Sequence, residues 1–172
     1  MESRSSFTGS RTPRPLGGFT LVELLVVIGL FAVIGSITLI ESMSSFRGSS
    51  FRSERDMLVA TLYKARSQAA NNICLGSTCT DGKPHGVRFA GDHYTLFQGG
   101  SYAARDPALD ETIAPRYAIS FGPGSITDVV FQQLSGDATT SPPNVWNINL
   151  VDSAGKSSAI ELNSEGRIRW TN

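Results

Sequence analysis

The stretch from Phe19 to Ile40 constrains this chain more than any other. It holds 22 consecutive residues that are apolar or small, broken by one ionisable group, Glu23. As a helix it would rise about 33 Å at about 1.5 Å per residue, enough to cross a hydrocarbon core of roughly 30 Å. A secretory signal peptide is the competing reading, but its apolar region usually spans about 7–15 residues and ends in a small-residue cleavage site. Here the run is longer, and the segment after it reads as more helix. The expectation is therefore a retained transmembrane helix. Arg4, Arg11 and Arg14 outweigh Glu2 ahead of it, which by the positive-inside rule keeps the N-terminus cytoplasmic. Residues beyond Glu41 are then expected outside a bacterial inner membrane, in the periplasm.

Glu23 is anomalous in such a helix. A carboxylate costs about 2.5–3.5 kcal/mol at the bilayer centre on insertion scales, less near an end, and usually has a partner. Gly18, Phe19, Thr20, Leu21 and Glu23, with the run Leu24-Leu25-Val26-Val27-Ile28, together resemble the start of the type IV pilin and type II secretion pseudopilin superfamily. That resemblance implies cleavage after Gly18 by a prepilin peptidase, N-methylation of Phe19, and pairing of Glu23 with the N-terminal amine of a neighbouring subunit. The implied partners are the peptidase/N-methyltransferase, other major and minor pilins or pseudopilins, and an inner-membrane assembly platform. The physics is compatible, because an amine and a carboxylate one turn apart are tolerable in a low-dielectric setting only if they meet. An anchor helix with a stray glutamate and a double-glycine export leader at Gly17-Gly18 are the alternatives. One departure is the absence of proline between Pro15 and Pro84. Many pilins carry one about 22 residues into the mature chain, where this sequence has Ile40. The helix is expected to be continuous or locally weak at Gly29, Gly35 and Ser36.

Helical periodicity continues from Ser44 to Asn71. Leu58, Leu62, Ala65 and Ala69 recur at spacings of four, three and four, an apolar stripe that needs a sheet to cover it. Arg47, Arg52, Arg55, Lys64 and Arg66 lie opposite, as a solvated face or, for Arg47 and Arg52, in contact with anionic head groups. Gly48-Ser49-Ser50 is a candidate bend, and Asn71-Asn72 a helix end. Next come Cys74 and Cys79. In an oxidising periplasm they are candidates for a disulfide. A metal site with His85 and His93 is the other reading, but the spacing matches no recognised site, and both histidines read as surface residues at strand ends.

Beyond His85 the pattern changes to short strands: residues 86–90 and 93–97 about a Gly91-Asp92 turn, then 117–121, 126–131, 146–151, 159–162 and 167–170. Residues 99–116 read as an irregular connection carrying Asp106, Asp110 and Glu111. The expected fold is α+β: a long N-terminal helix, membrane-spanning in its first half, packed by its second half on a small antiparallel sheet. The expected organisation is a leader over 1–18, a transmembrane and polymerisation segment over 19–41, an amphipathic continuation over 42–72 and a β-rich globular part over 73–172. The helix around Leu62, Ala65, Arg66 and Ala69 and the C-terminal run from Ile148 to Ile168 resemble the GspH/FimT-like branch of the superfamily.

No G-x-S-x-G, H-E-x-x-H or phosphate-cradling loop is present, so an enzyme and a cofactor are not expected. Formal net charge is zero, and beyond Glu41 twelve basic residues balance twelve acidic ones. Any anion must therefore be held by a local patch. The tail Gly166-Arg167-Ile168-Arg169 supplies one candidate. FimT-like minor pilins of DNA uptake are associated with a G-R-x-R element, which this tail matches. In a strand Arg167 and Arg169 share a face, and Trp170 is a candidate to stack on an unpaired base. Exposed arginines on an edge strand also discourage aggregation. Two classes result: a minor pilin that contacts DNA, and a GspH-like minor pseudopilin with no nucleic-acid role.

Overall fold

The computed structural model describes residues 18–77 and 79–171, with the side chains of all of these except 37–46. Chain contacts divide it into two compact units, one ending at Ser44 and one beginning at Ser45.

Helix α1 is Leu21–Ala70. Its start is fixed by Thr20, whose Oγ1 accepts the Glu23 N–H at 3.2 Å. Thr20-x-x-Glu23 has the spacing of a capping box, and an acid in the first turn suits the helix dipole. Gly29, Gly35, Ser36 and Gly48–Ser50 all lie within the assigned helix. The end is a Schellman motif: Asn72 takes φ 57°, its N–H donates to Ala69 O, and the Ile73 N–H donates to Gln68 O. These bonds satisfy carbonyls that a helix end would otherwise leave open.

Two antiparallel sheets make up most of the second unit. Strands β1 (His85–Ala90), β2 (His93–Gln98), β3 (Glu111–Ile113), β5 (Asp128–Phe131) and β6 (Ala138–Ser141) form one, in the order β3-β2-β1-β5-β6. Strands β4 (Ile119–Phe121), β7 (Asn147–Asp152), β8 (Ser157–Leu162) and β9 (Ile168–Thr171) form the other, in the order β4-β7-β8-β9. The β1–β2 hairpin turns on Gly91, at φ 52°, which suits the first position of a type II′ turn. Two short 3-10 helices, Tyr102–Ala104 and Pro107–Leu109, lie between β2 and β3.

One core serves this unit. Phe51, Leu58, Leu62, Ala65 and Ala69 share it with Val87 and Phe131 of the first sheet and Ile148, Leu150 and Ile160 of the second. Burying one such large aliphatic side chain is worth about 1.5–3 kcal/mol, which is what holds a polar-edged segment in place.

The expected architecture is corrected here. A single small sheet was expected; the strands form two, because β1, β2 and β5 pair in one ladder set and β4, β7, β8 and β9 in another, and residues 111–113 and 138–141 are also strands, at the edges of the first. Neither carries a strong apolar pattern, and both are edge strands whose conformation comes from pairing with β2 and β5. A membrane-spanning first half was also expected, but among the described residues no helix is long and apolar enough to cross a membrane.

Three further expectations are revised. His85 is buried rather than at the surface, and so is Arg55 from the basic face. Arg55 forms a forked pair with Asp56, Nε at 3.0 Å and Nη2 at 2.9 Å from Oδ1. The connection 99–116 is ordered by Tyr102, whose ring centroid lies 3.5 Å from the Arg105 guanidinium and 5.1 Å from that of Arg88. Its acids are engaged: Asp106 caps a 3-10 helix, Asp110 pairs with Arg105 at 2.7 Å, and Glu111 pairs with Lys64.

Candidate functional site: the N-terminal motif and the C-terminal tail

Gly18 and Phe19 precede α1, and Phe19 is 85% exposed. A Cβ placed on Gly18 would meet nothing within 4 Å. Nothing among the described residues thus shields the Gly18–Phe19 bond from a protease. Glu23 is also exposed, on the first turn. An exposed carboxylate on the first turn of a helix can meet a cationic group from its own or another chain.

The tail is built from the turn between β8 and β9. Asn163 closes it: its side-chain Oδ1 accepts the Arg167 N–H at 2.8 Å, and its carbonyl accepts the Gly166 N–H at 2.9 Å. Gly166 sits at φ 71°, where a Cβ is penalised. It is also pressed against its neighbours, since a Cβ there would overlap Gly136 O and the Arg66 side chain. Arg66, on α1, joins this turn to the one between β5 and β6 that holds Gly136. Its Nη2 donates to Glu165 O at 3.0 Å and its Nε to Gly136 O at 3.3 Å. Arg66 was expected on a solvated face, within the helix segment that carries the family resemblance. Its role was not readable in the sequence, because the turns it clasps lie 70 and 99 residues away.

Arg167 and Arg169 are brought together. Both line a cavity of about 220 Å³ with Glu161, Leu162 and Asn163. Arg167 pairs with Glu165 at 3.0 Å, with both side chains more than half exposed. Arg169 lies directly across from Glu161 in the β8–β9 ladder. An exposed pair such as Arg167–Glu165 is worth about 0–1 kcal/mol, so an anion can displace Glu165 at small cost. Trp170 does not join them. It lies across from buried Ile160, so its side chain is on the core-facing side of β9, opposite Arg169.

Cys74 and Cys79 are joined by a disulfide, with Cα atoms 5.8 Å apart. Gln98 pins the loop they close: its Oε1 accepts the Leu75 N–H at 2.6 Å and its Nε2 donates to Leu75 O at 3.3 Å. Neither histidine approaches a metal arrangement, and no group of three or more potential ligands occurs among the described residues. The His85 Nδ1 donates to Lys83 O at 3.0 Å, while its Nε2 is buried without a hydrogen-bond partner. Burial holds its pKa below the ordinary 6.5. At the hairpin tip, Asp92 is drawn below its usual range, chiefly by the hydrogen bond from His93.

Comparisons with protein-family models, curated proteins and solved structures find no match to this chain.

Proposed function

We propose that this chain is a minor pilin-like structural subunit of a type IV pilus. Prepilin peptidase cuts it between Gly18 and Phe19, the new Phe19 amine is methylated, and the subunit enters a filament through the assembly platform and neighbouring pilins. It has no catalytic role and needs no cofactor. It is made at the bacterial inner membrane, with its sheet-bearing unit on the periplasmic side. The observation that carries the reading is the motif Gly18-Phe19-Thr20-Leu21-Val22-Glu23, read with its setting: an exposed Gly18–Phe19 junction and an exposed acid one turn into a helix. The Cys74–Cys79 bridge supports an oxidising compartment. Mass spectrometry of the native protein tests the reading. The expected chain begins at N-methylated Phe19; a chain beginning elsewhere overturns it.

Within that reading, the Gly166–Arg169 tail contacts DNA taken up in natural transformation. Its two arginines sit on one cavity on an edge strand, and many subunits along a fibre can multiply weak single sites. A second reading is a GspH-like minor pseudopilin of a type II secretion system with no nucleic-acid role. It is favoured by Glu165 and Glu161, which already face the two arginines.

A further inference from the structure

Four cations gather around α1 where the packed core begins. Phe51 is the first core residue of the helix among those described, and exposed Arg47 and Arg52 flank it in sequence. The β7–β8 turn brings exposed Lys156 alongside. Its Nζ lies 5.8 Å from the Phe51 ring centroid and 3.5 Å from a Cβ placed on Gly48, and it lines a cavity with Arg52 and Arg55. The segment ahead of β4 brings exposed Arg116, which lines a second cavity with Ser50, Ser53, Glu54 and Tyr117. The Tyr117 hydroxyl donates to Asp152 Oδ2 at 3.5 Å, so the two approaching segments are also joined to each other. The acids nearby are engaged. Glu54 Oε1 accepts the N–H groups of Arg116 and Tyr117 at 3.0 and 3.1 Å. Asp152 Oδ1 accepts those of Ala154 and Lys156, each at 2.8 Å, and Asp56 pairs with Arg55. None of the ion pairs among the described residues uses Arg47, Arg52, Arg116 or Lys156. A unit whose formal charges cancel thus carries a local positive patch.

We propose that this patch docks on an anionic phospholipid surface, with Arg47, Arg52, Arg116 and Lys156 against headgroup phosphates; the inference deepens the inner-membrane placement proposed above and rests on it. The reason is the spread of the charges. Gly48, Arg52 and Arg55, on the Lys156 side, fall on one face of a helix with 3.6 residues per turn, and Ser50, Ser53 and Glu54, on the Arg116 side, fall on another. One small anion cannot reach all four cations, whereas a layer of phosphates can. The sequence just ahead adds a second signal. The large apolar side chains from Leu21 to Ile34 are 41–76% exposed. An acidic protein surface would leave them in water, while a lipid surface takes up apolar and basic helix residues together. Neither contact requires the helix to span the bilayer. Near an anionic leaflet each lysine or arginine is worth about fivefold in partitioning, equivalent to about 1 kcal/mol.

Flotation of the purified full-length chain with vesicles of phosphatidylcholine alone, or with about 30% phosphatidylglycerol added, tests this. Binding to the anionic vesicles is expected to be about a hundredfold tighter, a preference that fades toward about 0.5 M salt. Lys156→Gln and Arg116→Gln should each reduce it about fivefold and leave binding to phosphatidylcholine unchanged. Lys156→Arg keeps the charge and should behave as the parent, which separates charge from packing of the Lys156 stem. Sodium phosphate should release the chain no better than sodium chloride of equal ionic strength. Equal binding to the two vesicles, or an undiminished preference when Lys156→Gln and Arg116→Gln are combined, overturns the inference. Selective release by phosphate overturns it by assigning a site for a single phosphate. Tighter binding to polyglutamate than to the anionic vesicles overturns it in favour of an acidic protein partner. The N-terminus found by mass spectrometry is a separate readout. A chain beginning at N-methylated Phe19 with no lipid preference removes the docking surface and leaves the subunit reading standing.

Discussion

The Arg66 Nη2 donates to the carbonyl of Glu165 at 3.0 Å, so a helix residue holds the turn that carries the candidate DNA-contacting tail. The same guanidinium reaches Gly136 O in a second turn. Replacing Arg66 with Met keeps much of the aliphatic stem but leaves the buried Gly136 carbonyl without this donor. A loss of about 1–3 kcal/mol is expected, read as a lower urea midpoint with an unchanged slope. Arg66→Lys should recover only part of it, since an ammonium lacks the planar fork that spans both carbonyls. A Met variant as stable as the parent would show that the clasp contributes nothing.

Gly166 faces two penalties at once. Its φ of 71° favours glycine, and a Cβ would overlap Gly136 O. Gly166→Ala should therefore cost more than the roughly 1–2 kcal/mol of a left-handed residue alone. By contrast Gly91→Ala should cost close to that range, because a Cβ at Gly91 meets nothing within 4 Å. Thermal melts of the two variants side by side measure the difference, and equal melting temperatures would refute the close-packing account.

Acid should weaken the second unit through His85. Its folded pKa is held below 6.5 by burial, while in the unfolded chain it titrates near its ordinary value. The unfolded state thus binds the extra proton as pH falls through about 6.5, so stability is full above that value and declines below it. Urea unfolding at pH 7.5 and at pH 5.5 checks the sign. A His85→Gln variant should have a flatter profile over that interval; an unchanged profile would assign the acid sensitivity to other groups.

Glu23 is exposed and lies outside the unit that holds the core. Glu23→Ala is expected to leave the unfolding of the sheet-bearing unit within about 0.5 kcal/mol of the parent. On the proposed reading it should nevertheless abolish recovery of the subunit in sheared filaments. Normal incorporation of the variant would remove Glu23 from the assembly account.

Local signals were legible wherever one residue type answers a local demand. The stripe Leu58, Leu62, Ala65 and Ala69 repeats with the helical period and is fully buried. The ending at Asn71-Asn72 and the Gly91-Asp92 turn were readable because a positive φ admits few residue types. His85 reads as a polar strand end, yet pairing on both sides, with Gln98 and Phe131, encloses it. Residues 111–113 and 138–141 lack a strand pattern of their own and become strands by pairing with β2 and β5.

The same division runs through the candidate sites. By itself the sequence determined the N-terminal motif, the nearby cysteines and the two arginines of the tail, because each depends on residues within a few positions of one another. Only the tertiary structure decided that two sheets share the core, that Arg66 clasps the tail, that Tyr63 reaches Ile168 O, and that Trp170 lies across from buried Ile160 rather than beside Arg169. Those relations join residues as much as 105 positions apart. They are set by which hydrophobic faces bury together, and no periodicity along the chain records that choice.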